Sequence, residues 1–278
     1  MKCLKKVADI FKEREKPFHY IRGKILVYTK LCLLFSIKRK HYKLRFYPSS
    51  LSLFTWLYPN ERIGEEDFFT RVLKKSDYVI DAGANIGTIT LLSSGLVTES
   101  GKVFSIEANP KTFEYLKGNI AYNKRKNIVP INFALGDTKG EIMFSDMFED
   151  DQNKIVNNGI GIKVPMNRLD ELITSEKTID LFKIDVEGFE MFVFKGATEI
   201  LKKTNCIYFE SWETHFNNYN YSTGDVLTFL SGLGFNCYRF TDLDTLAPVN
   251  NEYSSVLCEN LIAVKDINSF MHRTNFKL

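Results

Sequence analysis

No run of this sequence is long and apolar enough to span a bilayer. The nearest, Lys24 to Ile37, is broken by Lys30 and closed by Lys38, Arg39 and Lys40, short of the ~20 apolar residues that a spanning helix needs. The same stretch lacks the small-residue cleavage pattern that follows a secretory h-region, so residues 1–45 do not read as a removable signal. Cysteine is scarce and scattered. Cys3, Cys32, Cys206, Cys237 and Cys258 are odd in number, with no pair at zinc or redox spacing, which argues for a reducing, cytoplasmic setting. Cys206, Cys237 and Cys258 lie in apolar runs and read as buried, inert thiols. Internal repeats and low-complexity tracts are absent too, which excludes solenoids and fibrous arrays.

What is present is ordinary globular composition, 44% hydrophobic and 26% charged over 278 residues, enough for one large core. The net charge of +3 hides an asymmetry: residues 1–45 carry fourteen Lys and Arg against three Asp and Glu, so +11 sits there and −8 on the rest. The chain therefore divides into a basic N-terminal segment, read as helical (1–45), and a larger, net-acidic domain (46–278). A basic segment suits peripheral contact with a membrane or another anionic polymer, nucleic acid included, or a solvated face on a docking helix.

Beyond it, helical spacing through Phe68, Phe69, Val72 and Leu73 predicts a lead-in helix over 65–75. A regular alternation follows: strand 78–82, helix 86–96, strand 102–107, helix 110–122 capped by Asn109 with Pro110 at its first position, and strand 128–134. Residues 138–167 break the pattern as a polar insertion with hairpin strands near 141–145 and 160–165, placed where a substrate-shaping flap would sit. Strand 181–185, helix 189–201, strand 206–210, helix 222–233 and the runs 235–240 and 260–265 complete a doubly wound α/β domain with a seven-stranded, mainly parallel sheet.

The sharpest local signal is Asp81-Ala82-Gly83-Ala84-Asn85-Ile86-Gly87, which ends a buried strand and opens a helix. Gly83 and Gly87 let the backbone turn and approach a ligand, and the helix start offers free N–H groups. Twenty residues after Gly87, Glu107 stands at the second strand's end, where a carboxylate can accept both hydroxyls of a ribose. Asn85 occupies the place where a dinucleotide fingerprint needs glycine against the pyrophosphate, and Asp81 suits an ammonium or hydroxyl better than two phosphates. That charge pattern fits S-adenosylmethionine.

Four segments in this order, Asp81 to Gly87, Ile106-Glu107-Ala108-Asn109-Pro110, Phe133-Ala134-Leu135-Gly136-Asp137 and Leu181 to Glu190, resemble the FkbM-type methyltransferases over residues 49–265. The resemblance implies a class I methyltransferase, Rossmann-like sheet with a reversed last strand, S-adenosylmethionine as donor, and O-methylation of a sugar, glycan or secondary-metabolite hydroxyl. It also implies a cofactor site made of Asp81, Gly83, Ala84, Asn85, Gly87, Glu107, Ala108, Ala134, Leu135 and Asp185.

Lys183, Asp185, Glu187 and Glu190 fall within eight residues at the carboxyl edge of the fourth strand, where ligands bind in such sheets. Strand alternation puts Lys183 and Asp185 on one face, ready to pair, and Gly188 permits a tight turn. Asp185 or Glu190 could also serve structurally at the next helix start. Methyl transfer to an aliphatic hydroxyl needs a group to receive its proton. Glu187 and Asp185 are the first candidates, Glu210 and His215 the second. A divalent cation held by Asp185, Glu187 and Glu210 could assist, but nothing in their spacing demands it. The Asn/Asp-Pro-Pro-aromatic signature of base N-methylation is missing where Asp185-Val186-Glu187-Gly188 stands, which counts against a nucleic-acid acceptor.

Overall fold

The structure, a computed structural model, describes residues 17–145, 147, 153–156, 161–174 and 177–278. The chain enters through helix α1 (Pro17–Tyr28), a 3-10 turn at Leu31–Leu34, a small hairpin of β1 (Ser36–Lys38) and β2 (Lys43–Arg45), and helices α2 (Ser50–Leu57) and α3 (Ile63–Val72). Strand β3 (Tyr78–Ala82), helix α4 (Thr88–Val97), β4 (Lys102–Ile106), helix α5 (Pro110–Tyr122) and β5 (Ile128–Ile131) follow. Helix α5 begins as expected: Asn109 Oδ1 accepts from the Lys111 and Thr112 backbone N–H groups, at 2.9 and 3.2 Å, and Pro110 fills the first position.

The insertion carries β6 (Ala134–Leu135), β7 (Gly140–Phe144) and β8 (Ile162–Asn167), which form a separate three-stranded sheet with β8 in the middle. The main sheet resumes with β9 (Ile179–Ile184), β10 (Thr204–Ser211), β11 (Asn236–Phe240), β12 (Leu246–Val249) and β13 (Glu259–Val264). Its order is β12-β11-β13-β10-β9-β3-β4-β5, with β13 antiparallel to both neighbours. The central strands are covered on both faces. Val79, Leu181, Cys206 and Tyr208 enter one apolar core, and Ile80, Phe182, Ile207 and Phe209 enter the other, so alternate residues of each strand serve opposite helical layers. Val27, Cys32, Ile37 and Leu44 from the basic N-terminal stretch are buried in the first of these cores.

Four expectations need correction. The sheet has eight strands, because β12 adds to β11 at the edge, where Pro248 costs no inner ladder bond. The strand expected over 128–134 stops at Ile131: the Asn132 amide donates to the carbonyls of Glu107 and Ala108, at 2.8 and 3.1 Å, and Ala134–Leu135 swing away to pair with β8. The helix expected over 189–201 is two, Glu190–Lys195 and Thr198–Lys202, parted at Gly196, where a Cβ would lie 1.9 Å from the Gly136 carbonyl. Cys258 is exposed, not buried, while Cys206 and Cys237 are buried as expected.

Candidate active site

The parallel register sets Ser105, Asp81, Lys183 and Tyr208 side by side across four strands. Asp81 is fully buried. Its Oδ2 accepts from the Thr90 hydroxyl at 2.6 Å, while Oδ1 accepts no hydrogen bond and has the Lys183 ammonium 3.5 Å away. Lys183 Nζ also donates to the carbonyls of Ala82 and Gly83, at 3.3 and 2.9 Å, and lies 3.5 Å from Asp185. Burial pulls the lysine pKa down, but the Asp185 and Asp81 carboxylates outweigh it and hold the group charged, above its usual range. The expected pairing of Lys183 with Asp185 is thus present, and Lys183 straps the first and fourth strand tips together.

The turn after β3 is held by Glu107. Its Oε2 accepts from Asn85 N–H and its Oε1 from Asn109 N–H, both at 2.8 Å, so the carboxylate is fixed at the tip of β4. Asn85 adopts a left-handed backbone, φ 49°, that asparagine tolerates well. Both glycines also meet packing demands that the sequence alone does not announce. A Cβ on Gly83 would lie 1.8 Å from the Asp185 carbonyl, and one on Gly87 would lie 2.6 Å from Leu116. Their missing side chains make room for β9 and α5. Gly83 still lines the cavity described below; Gly87 does not.

After β9 the chain turns through Glu187 and Gly188, both left-handed, at φ 57° and 96°. Glu190, wholly buried, anchors this turn by accepting from Val186 N–H at 3.0 Å and from Gly188 N–H at 3.4 Å. Burial raises its pKa to about 7, against those two hydrogen bonds. Glu190 is therefore a structural clasp. Glu210, at the end of β10, is raised to about 8, first by burial and then by the charges of Asp185 and Glu190. Its Oε1 lies 3.2 Å from the Cys258 thiol. His215, from the short helix Glu213–Asn217, stacks obliquely on Trp212, and its Nδ1 lies 3.5 Å from Glu187 and 3.9 Å from Glu210. That nitrogen is buried without a hydrogen bond, and burial followed by the Lys154 charge keeps the imidazole below its usual pKa, hence neutral at pH 7.

These groups meet in one cavity of about 410 Å³ at the carboxyl edge of the sheet, the size of a small-molecule site. Of the residues expected from sequence, Asp81, Gly83, Ala84, Asn85, Glu107, Ala108, Ala134, Leu135, Lys183, Asp185, Glu187 and Glu210 line it. Gly87 and His215 do not; His215 stands behind Glu187 and Glu210. The insertion contributes Phe144, Asn153 and Ile155 to the wall, and Tyr219 donates to the Ile155 carbonyl at 2.8 Å, tying that wall to the segment after β10. Leu51, Phe54, Glu61 and Arg62, which precede the first strand of the sheet, also line the cavity and carry no readable motif. Among the described residues one group could hold a divalent cation: Glu187, Glu210 and His215, with ligand atoms within 4.8 Å of one another. Asp185, expected in that set, is paired with Lys183 instead.

The Methyltransferase FkbM domain profile matches residues 81–237, more than half the chain. A hexuronic acid methyltransferase, AglP, of Haloferax volcanii is 30% identical over 154 residues, covering 53% of this chain and 62% of that protein. A probable ribosomal RNA small subunit methyltransferase A of Methanococcoides burtonii is 28% identical over 134 residues, covering 48% of this chain and 41% of that protein. The chain thus spans at most 62% of the length of these relatives. The crystal structure of methyltransferase FkbM from Methylobacillus flagellatus KT superposes with a TM-score of 0.43 at 14% identity, over 88% of this chain and 58% of that one. No helix among the described residues is long and apolar enough to cross a membrane. With the profile running from Asp81, at the tip of the first central strand, through the turn that holds Glu187 and on to Cys237, the chain belongs to the FkbM methyltransferase family.

Proposed function

We propose that this chain transfers a methyl group from S-adenosylmethionine to a hydroxyl of a sugar or glycan, with Glu210 as the general base. The observation that carries the reading is a single cavity whose wall joins Glu107 and the buried Asp81 to Glu210. The residues fit the cofactor. Asp81 lines the cavity and, although paired with Lys183 at 3.5 Å, adds to a wall whose acidic groups suit a cationic cofactor. Glu107, oriented by two backbone N–H groups, can take the two hydroxyls of a ribose. Ala108, Ala134 and Leu135 supply apolar walls for a base. When bound, the cofactor supplies a methyl group activated by its sulfonium.

The chain's own part is to align the acceptor and to take its proton. Glu210 lines the cavity with a pKa near 8, close to the value at which a base is both available and strong enough at neutral pH. Asp185, paired with Lys183, is less suited, while Glu187, on the cavity wall, and His215 lie beside the base, with His215 Nδ1 3.5 Å from Glu187 and 3.9 Å from Glu210. Phe133, Phe144 and Phe189 restrict water. Six acidic side chains, Glu61, Asp81, Glu107, Asp185, Glu187 and Glu210, line the cavity beside Arg62 and Lys183, an arrangement rich in acceptors for the hydroxyls of a polyol. The relative named for hexuronic acid supports the sugar class. Calorimetric titration with S-adenosylmethionine and S-adenosylhomocysteine tests the donor; absence of binding by folded protein would end the proposal. Labelled methyl appearing on a glycan hydroxyl tests the acceptor.

A further inference from the structure

Residues 17–45 hold eight Lys and Arg and no Asp or Glu. Their inner side is complete: Val27, Cys32, Ile37 and Leu44 are buried in the core. Their outer side is not what a solvated face should be. Lys30 takes a left-handed turn, φ 58°, after which the 3-10 helix points Cys32 inward and leaves Leu31, Leu33, Leu34 and Phe35 outside. Tyr28 is 91% exposed and Leu34 79%, so five large apolar side chains crowd eight consecutive positions. The hairpin that follows alternates the same way, with Ile37 and Leu44 in and Lys38 and Lys43 out. Lys38 and Lys43 stand directly opposite one another in register, a like-charge pair that disfavours the hairpin unless an anion lies over it. None of Lys30, Lys38, Lys40 and Lys43 forms an ion pair with a described residue; Arg39, by contrast, is paired with Glu66.

We infer that this outer face, from Tyr28 to Lys43, docks on an anionic lipid bilayer, its leucines and Phe35 entering the headgroup boundary and its lysines reaching the phosphates. Apolar chains beside unpaired lysines match that interface; a nucleic acid would use the lysines but not the leucines. The surface connects to the cavity through packed helices. Gly23 of α1 presses on α2, where a Cβ would lie 2.6 Å from Leu53, and α2 contributes Leu51 and Phe54 to the cavity wall. Docking shares no residue with the cavity, so the inference is independent of the proposed reaction.

The test is co-sedimentation of the full chain with vesicles of equal parts phosphatidylcholine and phosphatidylserine, against phosphatidylcholine alone, with single-stranded RNA as a third arm. Binding to the mixed vesicles is expected, weakened about fivefold for each of Lys38→Gln and Lys43→Gln and lost in the double variant Leu34→Ser/Phe35→Ser. Exposed substitutions of this kind leave the core intact, and unchanged calorimetric titration with S-adenosylmethionine, or an unchanged melting temperature should the chain bind no cofactor, verifies folding. Failure to bind mixed vesicles overturns the inference. So does RNA binding that loses strength with the lysines but is indifferent to Leu34 and Phe35.

Discussion

Glu210 offers the most exposing test, because one pKa governs both the rate and the stability. In the unfolded chain a glutamate titrates near 4.5, and in the folded protein burial and the nearby Asp185 and Glu190 charges raise this one to about 8. Between those values the folded state holds a proton that the unfolded chain has released. Stability therefore falls as pH rises from 4.5 to 8 and levels off above. At ~1.4 kcal/mol per unit the ceiling is about 5 kcal/mol. A carboxyl whose side chain keeps 20% exposure relaxes toward water, which brings the expectation down to about 2 kcal/mol. Glu210→Gln removes the titration. Against wild type it should melt at nearly the same temperature at pH 5 and about 5 °C higher at pH 9. Turnover of wild type should climb toward a limb near pH 8, while the variant loses about a hundredfold or more in kcat together with that limb. The reasoning is refuted if the melting difference is the same at both pH values, or if the limb survives in Glu210→Gln.

Three further outcomes follow from the same geometry. Lys183→Met leaves Asp81 and Asp185 facing each other without their shared cation, and chemical denaturation should show a loss of about 3–5 kcal/mol, an effect absent if the 3.5 Å contacts are idle. Gly83→Ala drives a methyl into the Asp185 carbonyl at a backbone φ of 74°, so a destabilisation of at least ~2 kcal/mol is expected in thermal melts; a neutral result would mean that the first and fourth strand tips are further apart. Glu107→Ala removes the ribose acceptor, and calorimetry should give S-adenosylmethionine affinity lower by about a hundredfold; affinity within about threefold of wild type would remove Glu107 from the cofactor site.

The alternation of apolar strands with capped helices was legible because each period is written locally: Asn109-Pro110 begins a helix in the sequence and in the structure alike. The residues around Asp81, Glu107 and Asp185 were legible for a related reason, since strand tips of a doubly wound sheet converge on one edge whatever the rest of the chain does. What could not be read is what depends on contacts between distant segments. Gly87 looks like a ligand-contact glycine until Leu116 of α5 is beside it, and Cys258 looks buried although it lies exposed just before β13. Arg62 and Phe54 reach the cavity because α2 and α3 pack across the sheet, and no spacing within residues 50–72 announces it. The placement of His215 behind two glutamates likewise comes from β10 ending where β9 turns.

Glu187 separates a residue kept for function from one kept for the turn. It sits at φ 57°, a conformation that costs a side-chain-bearing residue about 1–2 kcal/mol, in a turn where the next position is already glycine. Were the turn the only requirement, glycine would serve at 187 as well. Glu187→Gly relieves the strain but adds up to ~1 kcal/mol of freedom to the unfolded chain, so a net gain of about 0.5 kcal/mol in stability is expected. The same change removes the carboxylate 3.5 Å from His215 Nδ1 and its contribution to the cavity wall. If that carboxylate braces the base, turnover falls at least tenfold while S-adenosylmethionine affinity holds, and the protein is no less stable for it. A variant that is more stable and equally active would show that Glu187 has no part in the reaction. One that loses stability would show instead that the contact with His215 outweighs the backbone strain, and that the turn is held by its side chains.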